Sequence, residues 1–332
     1  MPAKSVIIFQ KWATATVFAV YFLIFIGGLV RVSGAGLGCP DWPRCYGLWI
    51  PPTSVEQLPS QYDPLTFNPV LTWIEYLNRL VGVVVGFFIL ILAWLAVKNF
   101  SKHIRILVPS LAALVMVAFQ GWLGKIVVSS DLHPFIVTLH LVMALVIVSV
   151  LIDVAMQARE MRNPEPDILS KSNQSKIVFG LWVAVMLQIA LGTQVRETLE
   201  WLSREYPLLN GYDWLEQARG IGIAHSVYGT LLTVSIIWVG RKQLKENRLS
   251  RLYSDVVKFS MGIALAQLGV GVLLVKFGIP QTVQVFHQWM SSLLVGFITA
   301  WFIGLKLAEK RSIPLQRQTA SQPSSLELTN QQ

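Results

Sequence analysis

Charge is scarce in this chain. Only 14% of its 332 residues are Asp, Glu, Lys or Arg, while 54% are hydrophobic, and the mean hydropathy is +0.55. Soluble domains carry roughly 25% charged residues, so the balance is foreign to a water-soluble fold. Cysteine is scarcer still, with Cys39 and Cys45 the only two, and there are only five histidines. No further thiolate or clustered third ligand is available to build a zinc site. No small-residue cleavage motif follows the first apolar run, which ends Gly27-Gly28-Leu29-Val30-Arg31. That run is therefore expected to persist as a helix rather than leave as a signal peptide. An Arg- and Ser-rich transit segment is also missing, which favours a bacterial chain over an organellar precursor.

What the chain has instead is long apolar runs. Eight of them span roughly 12–31, 72–97, 105–128, 134–156, 177–196, 219–240, 257–277 and 281–305. About 20 apolar residues cross a bilayer core, and a large soluble core would not repeat runs of that length. The expected fold is an all-α integral membrane protein with eight transmembrane helices. Short connections make it an antiparallel bundle.

The net charge of +9 does not call for nucleic acid. Assign the segments alternately with the N-terminus inside, and all but eight of the 27 Lys and Arg residues fall on the inner side. The exceptions are Arg31, Arg44, Arg79, Lys125, Arg196, Arg204, Arg219 and Lys276. This is the positive-inside asymmetry, and it places both termini in the cytoplasm. The Ser-, Gln-, Thr- and Pro-containing stretch after Arg311 reads as disordered.

The chain also repeats itself. Gly192-Thr193-Gln194-Val195-Arg196 closes the fifth run much as Gly27 to Arg31 closes the first, and a long outer loop follows each. Beyond those loops an offset of 147 pairs Gly82 with Gly229, Gln120 with Gln267, Gly124 with Gly271, His140 with His287 and Asn78 with His225. Five matches at one offset indicate a duplication, giving two pseudo-symmetric four-helix bundles. The expected organisation is an N-terminal bundle (1–156), a cytoplasmic linker (157–176), a C-terminal bundle (177–306) and a disordered cytoplasmic tail (307–332). The glycines fit close helix packing, and the two glutamines fit interhelical hydrogen bonding.

His103 lies among basic residues and is read as solvated, and His133 before Pro134 as a helix-entry residue. His140, His225 and His287 differ. Each lies six or seven residues inside a run boundary, about 10 Å deep at 1.5 Å per residue. Ionisable side chains there are rare and usually functional, although interhelical hydrogen bonding alone also accounts for a single one. Two imidazoles at one depth in one bundle suit bis-histidine haem ligation, so His225 and His287 are candidate ligands. The first bundle keeps His140 but carries Asn78, a poor iron ligand, at the other place. That asymmetry points to electron handling in the second bundle and chemistry in the first.

Glu75 shares a helix face with Asn78. It is read either as an ion-pair partner of Arg79 or Arg31, or as a carboxylate beside the reacting edge of a substrate. Arg31, Arg79 and Arg196 suit haem propionates and equally suit snorkelling at the boundary. Cys39 and Cys45 fall in the first outer loop, where a pair this close is expected to oxidise. An exposed disulfide there would be a loop staple or a labile exchange partner.

These residues carry a resemblance. The run from Gly28 through Arg31, Gly38-Cys39-Pro40-Asp41-Trp42 to Pro43 is its most specific part. With it go Glu75-Tyr76-Leu77-Asn78-Arg79-Leu80, Thr138-Leu139-His140, and His225 with His287. Together, from Gly27 to about Leu305, the chain resembles the haem A synthase family. The resemblance implies oxidation of a methyl group of haem O to the formyl group of haem A, for terminal oxidase assembly. It implies haem b on His225 and His287, a substrate haem ligated by His140, and Glu75 at the family's essential glutamate. Asn78, Arg79 and Arg31 would then line the substrate-haem pocket, and Cys39 and Cys45 match the cysteine pair of a bacterial subgroup. Implied partners are a haem O synthase, oxidase assembly proteins, membrane lipid and further copies of the chain, in a bacterial cytoplasmic membrane. Where this chain has Asn78 the family commonly has histidine, which leaves the position opposite His140 to His133, to water or to nothing. Two other classes compete: a cytochrome b-like electron carrier without haem chemistry, and a pseudo-symmetric transporter.

Overall fold

The computed structural model describes residues 3–164, 173–246 and 249–320, with side chains as far as Glu309. Among these, helices α1 (Ala3–Val32), α2 (Pro69–Phe100), α3 (Ile104–Ser129) and α4 (Pro134–Arg162) form the first half. The second half holds α5 (Gln174–Glu205), α6 (Gly211–Gln217), α7 (Arg219–Glu246), α8 (Arg251–Lys276) and α9 (Gln281–Ala320). All but α6 are long and apolar enough to cross a membrane, so the chain is the eight-span all-helical protein expected. Helix α6 escaped the sequence reading because it is a seven-residue polar turn, held by a capping box between Asn210 and Asp213.

The helices outrun their apolar stretches. Apolarity stops at the membrane boundary, whereas the backbone hydrogen-bond ladder continues until a cap or turn ends it. Thus α5 continues from Arg196 to Glu205. Helix α4 runs to Arg162 and α5 starts at Gln174, so the linker expected over 157–176 is shorter, and 165–172 lie outside the described residues. Likewise α9 continues to Ala320, so the stretch from 307 expected as a disordered tail is helical that far. Residues 321–332 lie outside the described residues.

Local chemistry sets the ends. The Asn68 side chain accepts from the backbone N–H groups of Val70 and Leu71, and Pro69 opens α2 where its missing N–H costs nothing. Helix α3 ends with Asp131 and Leu132 at φ 51° and 61°, and α8 ends with Gly278 and Ile279 at 65° and 57°. In both turns the second residue's N–H reaches back five residues, Leu132 to the Val127 carbonyl and Ile279 to that of Leu274. These are Schellman-type closures, and they lie 147 residues apart like the matched side chains.

Packing repeats too. In the first half α1 packs on α2 and α4, and α3 on α2 and α4. In the second half α5 packs on α7 and α9, and α8 on α7 and α9. Helix α9 contacts α1 and α4, and α4 contacts α5, joining the halves. One aliphatic core fills α1–α4 around Ile89, Leu92, Val148 and Leu151, and a second fills α5–α9 around Val178, Ile236, Ile298 and Trp301. Phe18, Trp94, Trp122 and Trp238 lie exposed outside the central cavity, as suits side chains facing lipid.

Candidate functional site

The loop between α1 and α2 folds down onto α2. The Asp41 carboxylate gathers the backbone N–H groups of Tyr46, at 2.6 Å, and Gly47, at 2.9 Å. Cys39 and Cys45 form a disulfide, packed with Tyr46 and Phe67 in a small core of their own. Both cysteines have zero exposure. The expectation that the bridge is exposed is therefore corrected: the loop buries it among Tyr46 and Phe67. Burial pushes the Tyr46 phenol above its ordinary range, and the charges of Glu75 and Asp41 add to this.

Beneath the loop lies Glu75, 4% exposed. Its Oε1 pairs with Arg79 one turn along α2, and its Oε2 accepts the Cys39 N–H at 2.8 Å. Of the two ion-pair partners read from sequence, Arg79 is the one found. Arg31 pairs instead with Glu197 of α5, a residue the sequence reading passed over. Arg79 also donates to the backbone carbonyls of Asp41, Arg44 and Cys39. With Glu75 these acceptors take all five guanidinium N–H groups. Arg79 thus lines the cavity but has no donor left for a propionate. Arg196 fits that role better, because its Nε is buried without a partner.

Glu75, Asn78, Arg79 and Arg31 open onto one continuous cavity of about 1730 Å³, which runs between the halves and reaches His140, His225 and His287. It is large enough for ligands well beyond drug size, and its lining is mostly apolar with a few polar groups. His133 does not line it. It sits exposed at the start of α4 without a side-chain cap bond, two turns from His140. The structure does not bring it to the position opposite His140. His103 is exposed beside Phe100, in keeping with a solvated residue.

The rings of His225 on α7 and His287 on α9 face each other with centres 6.3 Å apart and planes at 64°. A metal ion bonded by two imidazoles at about 2 Å each holds the ring centres roughly 6 Å apart, so the pair fits a bis-imidazole iron. The Nδ1 atoms of His140, His225 and His287 are buried without partners, which leaves these imidazoles uncommitted to the hydrogen bonding that would explain them as structural. Among the described residues, no cluster of three His, Cys, Asp or Glu side chains offers a bare metal ion a site. The donor set therefore suits a ligand that brings its own equatorial donors.

Glutamines secure the histidine backbones. Gln120 donates to the His140 carbonyl at 3.0 Å and Gln267 to that of His287 at 2.8 Å, the interhelical bonds expected for the matched pair. Gln188 does the same for His225 at 2.9 Å. The sequence reading missed it, although it precedes Gly192 by four residues as Gln120 precedes Gly124.

Several known proteins are similar to this chain over most of its length. The chain is 28% identical to a haem A synthase of Shouchella clausii over 86% of this chain and 93% of that protein. It is 27% identical to one of Halalkalibacterium halodurans, over 91% and 98%. A third, of Shewanella oneidensis, is 25% identical over 82% and 89%. The family description COX15-CtaA, cytochrome oxidase assembly protein, matches residues 10–299. With most of its length so matched, the chain belongs to the COX15-CtaA family of cytochrome oxidase assembly proteins.

Proposed function

We propose that this chain is a haem A synthase, an oxidoreductase that converts a methyl group of haem O into the formyl group of haem A. The observation that carries the reading is the facing pair His225 and His287 in a cavity that continues, past the interface of the halves, to His140 and Glu75. In this reading His225 and His287 hold haem b, and His140 ligates the substrate haem. A haem held by two imidazoles supplies one-electron transfer without an open coordination position. A haem bound at His140 would find no second strong protein ligand in Asn78.

Each remaining residue has a task within this scheme. Glu75 presents a carboxylate at the cavity wall that takes a proton or faces developing positive charge. Arg79 and the Cys39 N–H orient it, and Arg31 and Arg196 set the positive edge of the cavity. The aliphatic lining keeps water from the methyl group. The Lys and Arg distribution supports a bacterial cytoplasmic membrane protein with both termini inside and the Cys39–Cys45 loop outside. The matched packing, turns and glutamines support two pseudo-symmetric bundles.

Co-expression with a haem O source tests the reaction, with accumulation of haem A in extracted pigments as the expected result. Pigments that never contain haem A would sink the assignment. Spectra of the purified chain test the sites. His287→Ala and His225→Ala are expected to abolish the low-spin bis-histidine signal, and His140→Ala to leave it. Equal loss in all three would refute the division between the halves.

A further inference from the structure

Three helices present the same two residues, one turn apart, to the three cavity histidines. On α3, Gln120 holds the His140 carbonyl, and a Cβ on Gly124 would lie 3.6 Å from the His140 Cε1. On α8, Gln267 holds the His287 carbonyl, and Gly271 stands 3.6 Å from the His287 Cε1 by the same measure. On α5, Gln188 holds the His225 carbonyl, and the corresponding distance from Gly192 is 2.9 Å. In every pair the glutamine Oε1 and the imidazole Nδ1 are both buried and without a partner. An unsatisfied acceptor and a nitrogen that carries the proton in one tautomer therefore occur on the same residue pair three times over. Buried polar atoms rarely stay unpaired.

A histidine that gives Nε2 to a metal keeps its proton on Nδ1 and almost always donates it to an outer acceptor, which fixes the ring's tautomer and direction. We infer that Gln120, Gln188 and Gln267 are positioning residues that fix the tautomer and aim of the three haem-ligating histidines. Each carboxamide holds the histidine backbone through Nε2 and takes the Nδ1 proton on Oε1, which directs the imidazole Nε2 at iron. At Gly192 the missing Cβ leaves the space that the His225 ring occupies. The inference rests on the reading of His140, His225 and His287 as haem ligands.

The fourth position supplies an internal control. Gly27 of α1 corresponds to Gly192 of α5 and stands against Asn78, whose Oδ1 lies 3.9 Å from a Cβ built there. Four residues earlier, where α5 has Gln188, α1 has Leu23. Glutamine and histidine are present together at three positions and absent together at the fourth, while the glycine stays at all four. A glutamine that served only helix packing has no reason to follow the histidine.

The test uses the purified full chain with its bound haem b. Gln267→Leu and Gln188→Leu keep the bulk but remove donor and acceptor. They are expected to release haem b ten- to a hundredfold more readily, the usual effect of losing an outer partner, and to displace the low-spin ferric resonance. Gln267→Glu keeps an acceptor and is expected to retain haem with a lower midpoint potential, because a carboxylate enriches the imidazole. Unchanged resonance and unchanged haem retention in both leucine variants would overturn the inference. A gain-of-site experiment covers the case of leucine variants that fail to fold. Leu23→Gln combined with Asn78→His should add a second low-spin bis-histidine signal, at least tenfold stronger than Asn78→His alone produces. Equal signals from the two, absence included, count against the inference. Persistence of the low-spin signal in His287→Ala, by contrast, would remove the ligand reading itself, whatever the glutamine variants do.

Discussion

The backbone N–H of Cys39 donates to the Glu75 carboxylate across 2.8 Å, so the disulfide loop and the cavity wall meet at one hydrogen bond. The other carboxylate oxygen is held by Arg79. Glu75→Gln removes the charge facing Arg79 and the capacity to take up a proton, with little change in shape. Haem A formation is expected to fall by about 10²–10⁴-fold, the range for losing a general acid–base group, with the haem b spectrum intact. Chromatography of extracted haems beside absorption spectra reads both, and undiminished haem A would remove Glu75 from the chemistry.

The buried bridge should count in stability as well. Cys39 and Cys45 are six residues apart in sequence, and closing so small a ring contributes about 2 kcal/mol in the chain-entropy picture. The double variant Cys39→Ser/Cys45→Ser should therefore unfold at lower temperature than the parent, with the helices still formed. A melting curve that matches the parent's would mean that the packing of Tyr46 and Phe67 holds the loop unaided.

Gly192 and Gly271 make a paired comparison. A Cβ at 192 would stand 2.9 Å from His225, closer than real contacts allow, whereas one at 271 would stand 3.6 Å from His287. Gly192→Ala is expected to push the His225 ring aside and lower haem b content. Gly271→Ala makes an ordinary contact and should leave that content near the parent's. The haem-to-protein ratio of the two purified variants reads the difference, and a reversed order would contradict the ring placement.

Far from the cavity, Trp301 on α9 donates to the Gln243 side chain of α7 at 2.6 Å, with both residues buried. Trp301→Phe retains most of the apolar packing but strands the Gln243 oxygen. The expected cost is about 1–3 kcal/mol, visible as earlier thermal unfolding with the haem spectrum unaltered below the transition. A variant as stable as the parent would mean that water reaches Gln243.

Much of the architecture is legible along the chain. Transfer of apolar side chains into a bilayer is nearly a per-residue property, so eight runs in sequence become eight spans in structure. Duplication is legible for a similar reason, since equal spacing needs no knowledge of packing. Hence His140 with His287 and Gln120 with Gln267 could be matched before any helix was placed, and both glutamines do reach their histidine carbonyls. Where helices end was less legible, because α5 and α9 run on beyond their apolar stretches.

By itself, then, the sequence determined the class of fold, the matched residues 147 positions apart, and the mismatch of Asn78 with His225. Only the tertiary structure decided the partners. It joined Glu75 to Arg79 and Arg31 to Glu197 of the other half, buried the disulfide, kept His133 away from the cavity, and set His225 and His287 ring to ring. Such pairings depend on how each helix is rotated about its axis and against which neighbour it packs. That rotation is a balance of contacts from several helices at once, and no local stretch of sequence encodes it.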